Sequence, residues 1–132
     1  MIAVDTNVLA RLFVTDNPRQ HATAVEFFAA RSGDDPAFVS LVVQAELVWL
    51  LTQMLKFPYE RVREVLAAML SSADFVVEQS DLLEQTLELM AARKADLADF
   101  LIAGMARRVG CRTTVTFDKA AARHVPGMEL LK

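Results

Sequence analysis

The chain is short of the residues that staple, bend or dissolve a small protein: its 132 residues include one cysteine, two histidines, four glycines and four prolines. With Cys111 alone no internal disulfide can form. Cys111, His21 and His124 do not make the closely spaced soft-ligand set that a structural zinc requires. So little Gly and Pro, beside 54% hydrophobic and 23% charged residues, excludes disorder and low complexity. No apolar run approaches the roughly 20 residues that span a bilayer. Asp5 also breaks the opening MIAV too early for a secretory signal. These absences lead us to expect a soluble, cytoplasmic protein with no membrane partner, folded as a single domain over residues 1–132. A chain of this length buries roughly two thirds of its unfolded surface.

Positive charge is scarce in the first two thirds of the chain. Residues 1–89 hold six Lys/Arg against thirteen Asp/Glu, whereas residues 90–132 hold eight against four, within an overall charge of −3. Arg93, Lys94, Arg107, Arg108, Arg112, Lys119 and Arg123 make the C-terminal region basic. That region is either a solvated face or a surface for phosphate.

Short apolar runs alternate with helical patterns. Ile2–Val4 has the character of a buried strand that stops at Asp5-Thr6-Asn7. Pro18 opens a helix to about Ala30, with Gly33 beyond it. Phe38-Val39 is a second strand, and Ser40 caps a very apolar helix over Leu41–Leu55. Pro58 starts a helix to about Ala73, and Phe75–Val77 is a third strand. Ser80 caps a helix to about Arg93. Asp96 caps a last long helix closed by Gly110, and Thr113–Phe117 is a fourth strand running into Asp118. This alternation predicts an α/β fold with a small, mainly parallel central sheet flanked by helices. In such sheets ligands bind at the carboxyl ends of the strands, which is where Asp5 and Asp118 fall.

Four acids draw attention. Asp5 either caps a helix or stands at a strand end holding a ligand. Glu46, in VVQAELVWLL, has Val42, Val43, Trp49 and Leu50 at helical spacing, so its carboxylate is expected on the stripe facing the core, where an unpaired charge is costly. Asp96 and Asp99 have the spacing of a cap and its third residue, an ordinary way to start a helix. Asp99, however, runs into apolar Phe100–Ala103 and is expected at the rim of the core. Asp118 caps a short helix or shares the end of its strand with Thr116, two residues before. Were these carboxylates to meet in one cleft, two charges about 4 Å apart would repel by about 4 kcal/mol at an effective dielectric of 20. A divalent cation would offset that, and an all-oxygen site suits Mg²⁺ or Mn²⁺. The chemistry such a metal serves is attack of an activated water on phosphorus, which is phosphodiester hydrolysis.

The segments MIAVDTNVL, AELVWLL, DLADFLIAGMA and TVTFD, in this order over nearly the whole chain, resemble the PIN-domain ribonucleases, most closely the VapC-like toxins of prokaryotic toxin–antitoxin pairs. The resemblance implies a small parallel sheet with flanking helices and endoribonuclease activity dependent on Mg²⁺ or Mn²⁺. It also implies a homodimer, and a cognate antitoxin that masks the site in a higher assembly. It places the site acids on Asp5, Glu46, Asp99 and Asp118, with Asp96 as an additional or alternative carboxylate. Thr6, Asn7 and Thr116 fall on the supporting polar positions. Asp5 and Asp99 are expected to bind metal most directly, Glu46 to bind it or orient its water, and Asp118 to complete the set. Phe100 is bulkier than the alanine that often follows the third acid in VapC-like relatives.

Two other functions fit parts of the pattern. A phosphohydrolase acting on small phosphate esters often carries a second Asp two residues after the first, where this chain has Asn7. A non-catalytic PIN-fold interaction protein would use the acids to bind a basic partner. His124, beside a Pro-Gly turn, is set aside as an exposed or capping residue. Met54, Met69, Met90 and Met105 are read as core filler, and Trp49, Phe27, Phe28 and Phe57 as core or dimer-face residues.

Overall fold

Three short runs of small, β-branched and aromatic residues pair with one another. In the computed structural model, β1 (Ile2–Ala3), β2 (Ala37–Val39) and β3 (Phe75–Val77) form a parallel sheet in the order β1-β2-β3, with Ile2 beside Ala37 and Ala37 beside Phe75. The structure describes residues 1–92 and 95–132, in two compact units, Met1–Ser80 and Asp81–Lys132. Arg93 and Lys94, two cations of the basic region, lie outside the described residues, as does the expected helix end at Arg93.

In the first unit, the connection from β1 to β2 carries α1 (Thr6–Ala10) and α2 (Pro18–Ala29). Asn17 caps α2 through its side chain and Pro18 occupies the first turn, where its missing N–H costs nothing. The connection from β2 to β3 carries α3 (Leu41–Trp49), a π-helical turn over Leu50–Met54, and α4 (Tyr59–Ser71). Ser40 caps α3 as expected, and Glu78, just past β3, adds its carboxylate to the Leu41 N–H at 2.8 Å. The single helix expected over Leu41–Leu55 is therefore an α-helix that widens. Leu55 N–H bonds Leu50 O at 3.0 Å, five residues back, and Lys56 ends the segment with a φ of +56°.

Leu47, Leu51 and Leu66 are fully buried in this unit, with Val39 and Ala37 of the sheet at 0% exposure. Two expectations fail here. The β1 strand is not buried: Ile2 is 44% exposed, because β1 is the edge of the sheet and only Val4 enters the core. Met54 does not fill the core, being 63% exposed; Trp49, read as a core or dimer-face residue, is 59% exposed and so is not in the core.

In the second unit, α5 (Ser80–Ala92) and α6 (Leu97–Arg108) precede β4 (Thr114–Thr116), α7 (Lys119–His124) and β5 (Met128–Leu130). Phe100, Ala103, Ala121 and Val125 form its buried cluster. The approach of α5 to α6 is close, since a Cβ at Gly104 would stand 2.5 Å from Leu82 Cδ1. Gly110 ends α6 with a φ of +90°, the left-handed conformation that favours glycine. β4 pairs in parallel with β5, which the sequence had not marked as a strand. Two of the basic residues serve this packing. Arg107 donates to Pro126 O at 3.2 Å, and Arg108 makes a forked pair with Asp81 at 3.2 and 2.7 Å. Among the described residues no helix is long and apolar enough to cross a membrane.

Candidate active site

Each unit holds its own share of the expected acids. In the first, Val4 is buried and Asp5 emerges at the end of β1. Asp5 takes the N-cap position of α1 with extended backbone, and its Oδ1 accepts the Thr6 N–H at 2.7 Å. The cap engages one carboxylate oxygen and does not require the other, so the capping and ligand-holding readings of Asp5 are compatible. Thr6 is buried, and its hydroxyl donates to Glu46 Oε2 at 2.6 Å. That bond ties the start of α1 to the middle of α3 and sets Asp5 and Glu46 on one cleft of about 440 Å³, which Thr6, Asn7, Arg11 and Asp16 also line.

The environment expected for Glu46 is corrected. Its side chain is not on the core stripe: the buried face of α3 is Val43, Gln44, Leu47 and Val48, while Glu46 is exposed between exposed Val42 and Trp49. Solvent and the Thr6 hydroxyl, rather than burial, surround this carboxylate. Arg11 and Asp16 were not singled out in the sequence, yet both line the cleft and pair with each other at 2.5 Å.

In the second unit, Asp96 stands at the N-cap of α6 with extended backbone, but its side chain makes no capping bond. The capping reading of Asp96 therefore fails at the side chain, and its exposed carboxylate is not held by the helix. Asp99 is half-buried on the first turn, next to buried Phe100 and Leu101. Burial pushes its carboxyl above the usual carboxylate range, and the charges of Asp96 and Asp118 push it further, against a hydrogen bond from the Asp96 backbone. Asp118 caps α7, its Oδ1 accepting from Ala120 and Ala121 N–H at 2.9 and 3.0 Å. Thr116 acts on the same turn, its Oγ1 accepting the Asp118 N–H at 3.0 Å. Asp96, Asp99 and Asp118 thus share one electrostatic neighbourhood.

A stability consequence follows from the direction of the Asp99 shift. A carboxyl whose folded pKa lies above its unfolded value favours the fold while protonated, and that contribution is lost as pH rises through the folded pKa. Asp99→Asn is therefore expected to raise the melting temperature at pH 7 in metal-free buffer. The gain should disappear below about pH 3.8, the unperturbed value. Thermal melts of both proteins between pH 3 and 7 check this, and a gain that persists at the lowest pH would contradict the electrostatic origin.

The donors are chemically uniform: carboxylates, the Thr6 hydroxyl and the Asn7 carboxamide offer oxygen and no thiolate or imidazole. Such donors fit a hard cation of the Mg²⁺ or Mn²⁺ type. Among the described residues, no group of three or more His, Cys, Asp or Glu is assembled that could hold a metal ion.

Parallel strands ending in carboxylates, with helical crossovers and oxygen-only donors, define an α/β protein built around acidic strand ends. Residues 2–126 match the family model described as PIN domain, and the chain belongs to the PIN domain family. PIN domains are generally metal-dependent nucleases and typically use divalent metals. No curated protein matches the chain significantly.

Proposed function

We propose that this protein is an endoribonuclease dependent on Mg²⁺ or Mn²⁺, acting as the VapC-like toxin of a toxin–antitoxin pair. The observation that carries the reading is the Thr6–Glu46 bond, which holds the carboxylates of Asp5 and Glu46 on one cleft in a chain of a nuclease family. A divalent cation there would lower the pKa of a bound water and neutralise charge developing on the phosphate. Asp5 and Asp99 are the proposed principal metal-binding residues. Glu46, oriented by Thr6, binds metal or holds the attacking water, and Asp118 and Asp96 complete the acidic set. Asn7 presents a neutral amide beside Asp5, where a further carboxylate would add repulsion. The proposed partners are an RNA substrate, a second copy of the chain and an antitoxin, in a cytoplasmic setting.

The test is incubation of purified, antitoxin-free protein with total RNA in Mn²⁺ and in EDTA. Cleavage in Mn²⁺ alone is the expected result, and no cleavage of any RNA by folded protein would overturn the reading. Faster turnover of small phosphomonoesters than of RNA would favour the phosphohydrolase instead. Metal should also stabilise the fold, because a ligand bound only by the native state shifts unfolding by mass action: about 2.7 kcal/mol when present at about 100 times its Kd. Melting temperatures measured with and without millimolar Mg²⁺ or Mn²⁺ check this, and no shift would count against a shared carboxylate site.

A further inference from the structure

Arg11 is the one cation among the described residues lining the cleft that holds Asp5 and Glu46. It caps the C-terminus of α1, a helix of five residues whose other end begins at Asp5. Buried Thr6, Leu9 and Ala10 pin that helix, so Asp5 and Arg11 are fixed to the same cleft from opposite ends of one short rigid element. The Arg11 carbonyl is itself in hydrogen-bond contact with His21 Nδ1 at 2.5 Å, which anchors its backbone. The guanidinium rests on Asp16, a carboxylate whose side chain is 71% exposed.

We propose that Arg11 is the phosphate-binding residue of this cleft, exchanging its contact with Asp16 for a backbone phosphate of single-stranded RNA. The inference rests on the ribonuclease reading above and adds a substrate contact to it. A cleft lined by Asp5 and Glu46 repels a phosphodiester, and a fixed cation at its wall offsets that repulsion. Arginine suits the exchange because its planar fork matches carboxylate and phosphate alike. The Asp16 side chain is 71% exposed against 28% for Arg11, so the carboxylate is the open partner of the pair and the one readily displaced. In this arrangement Asp16 is a positioning residue that orients Arg11 and competes with the substrate.

The experiment measures anisotropy of a fluorescent single-stranded RNA with the full-length chain in EDTA, across a range of salt, for wild type, Arg11→Ala, Arg11→Lys and Asp16→Asn. Loss of one phosphate contact to a single strand lowers the slope of log affinity against log salt by about 0.7. Arg11→Ala is expected to show that loss with weaker binding, and Arg11→Lys to restore the slope. Asp16→Asn is expected to bind more tightly, by a few-fold. A purely structural Arg11–Asp16 pair would instead lower the melting temperature of Arg11→Ala and Asp16→Asn alike and leave the salt slope unmoved, which overturns the proposal. Weakened binding by Asp16→Asn overturns it too. If wild type cleaves total RNA in Mn²⁺ while Arg11→Ala keeps the slope, this inference alone falls. If wild type neither cleaves nor binds RNA, the ribonuclease reading falls, and this inference falls with it.

Discussion

Asp99→Asn is expected to reduce RNA cleavage in Mn²⁺ by about 10²–10³-fold, while the protein remains folded and, in metal-free buffer at neutral pH, melts at a higher temperature. The two halves of this result have one physical source. Asp99 is held partly out of water and near the charges of Asp96 and Asp118, so its ionised form is disfavoured in the folded protein without metal. On the proposed reading a bound cation would reverse the sign, because it would offset the repulsion that disfavours the ionised carboxylate. Were Asp99 a ligand of such a metal, as proposed, its removal would take away several kcal/mol of transition-state stabilisation, which is the rate loss stated. Neutralising a purely structural acid would move stability and activity together or leave activity alone. The check is single-turnover cleavage of a labelled RNA beside thermal melts of the same samples. Full activity in the variant would remove Asp99 from the chemistry.

The order of elements was legible because their boundaries are written in local chemistry. Ser40 caps α3, Pro18 opens α2, Gly110 closes α6, and Phe75–Val77 is a strand with the expected limits. The facing of α3 was not legible. Val42, Val43, Leu47, Val48, Trp49 and Leu50 surround Glu46 on all sides of the helix, so no apolar stripe distinguishes core from solvent. Only packing decides that Val43 and Leu47 turn inward while Val42 and Trp49 turn out. β5 escaped because Met128–Leu130 is a three-residue run whose strand character comes from pairing with β4, not from its own pattern. Ile2 looked buried since an apolar strand reads the same at an edge as at a centre. The acids of DTN and AEL, marked in the sequence, line one cleft, and those of DLAD and TFD share one electrostatic neighbourhood. The Arg11–Asp16 pair was not legible, because nothing in LARLFVTDNP distinguishes a cleft-lining arginine from a solvated one until the chain beyond α1 folds back.

The same apolar helix hides the residue whose replacement should cost the fold most. Gln44 is fully buried on the inner face of α3, and its amide donates to Glu78 O at 2.7 Å and to Val39 O at 3.4 Å. Its Oε1 is buried with no hydrogen-bond partner. The side chain joins the carboxyl ends of β2 and β3 to the helix that carries Glu46. Gln44→Glu keeps the shape but turns the donor toward two carbonyl oxygens into an ion that cannot donate to them. An uncompensated buried charge destabilises by about 3–5 kcal/mol, a large share of the roughly 5–15 kcal/mol that holds such a domain together. The melting temperature at pH 7 is expected to fall by on the order of 10 °C. The introduced carboxyl would have a folded pKa well above its unfolded value, so the loss should be small in acid and grow as pH rises through the folded value. Gln44→Leu separates charge from packing. It leaves Glu78 O without its side-chain partner, but Val39 O still accepts the Glu78 N–H at 2.9 Å, and the unpaired Oε1 is gone. Its cost is expected to be about 1–2 kcal/mol and independent of pH. Denaturant melts of both variants at pH 4 and pH 7 measure the difference. Equal losses at the two pH values would mean that the site admits water, and that the link between the sheet and α3 is looser than a dry amide bridge.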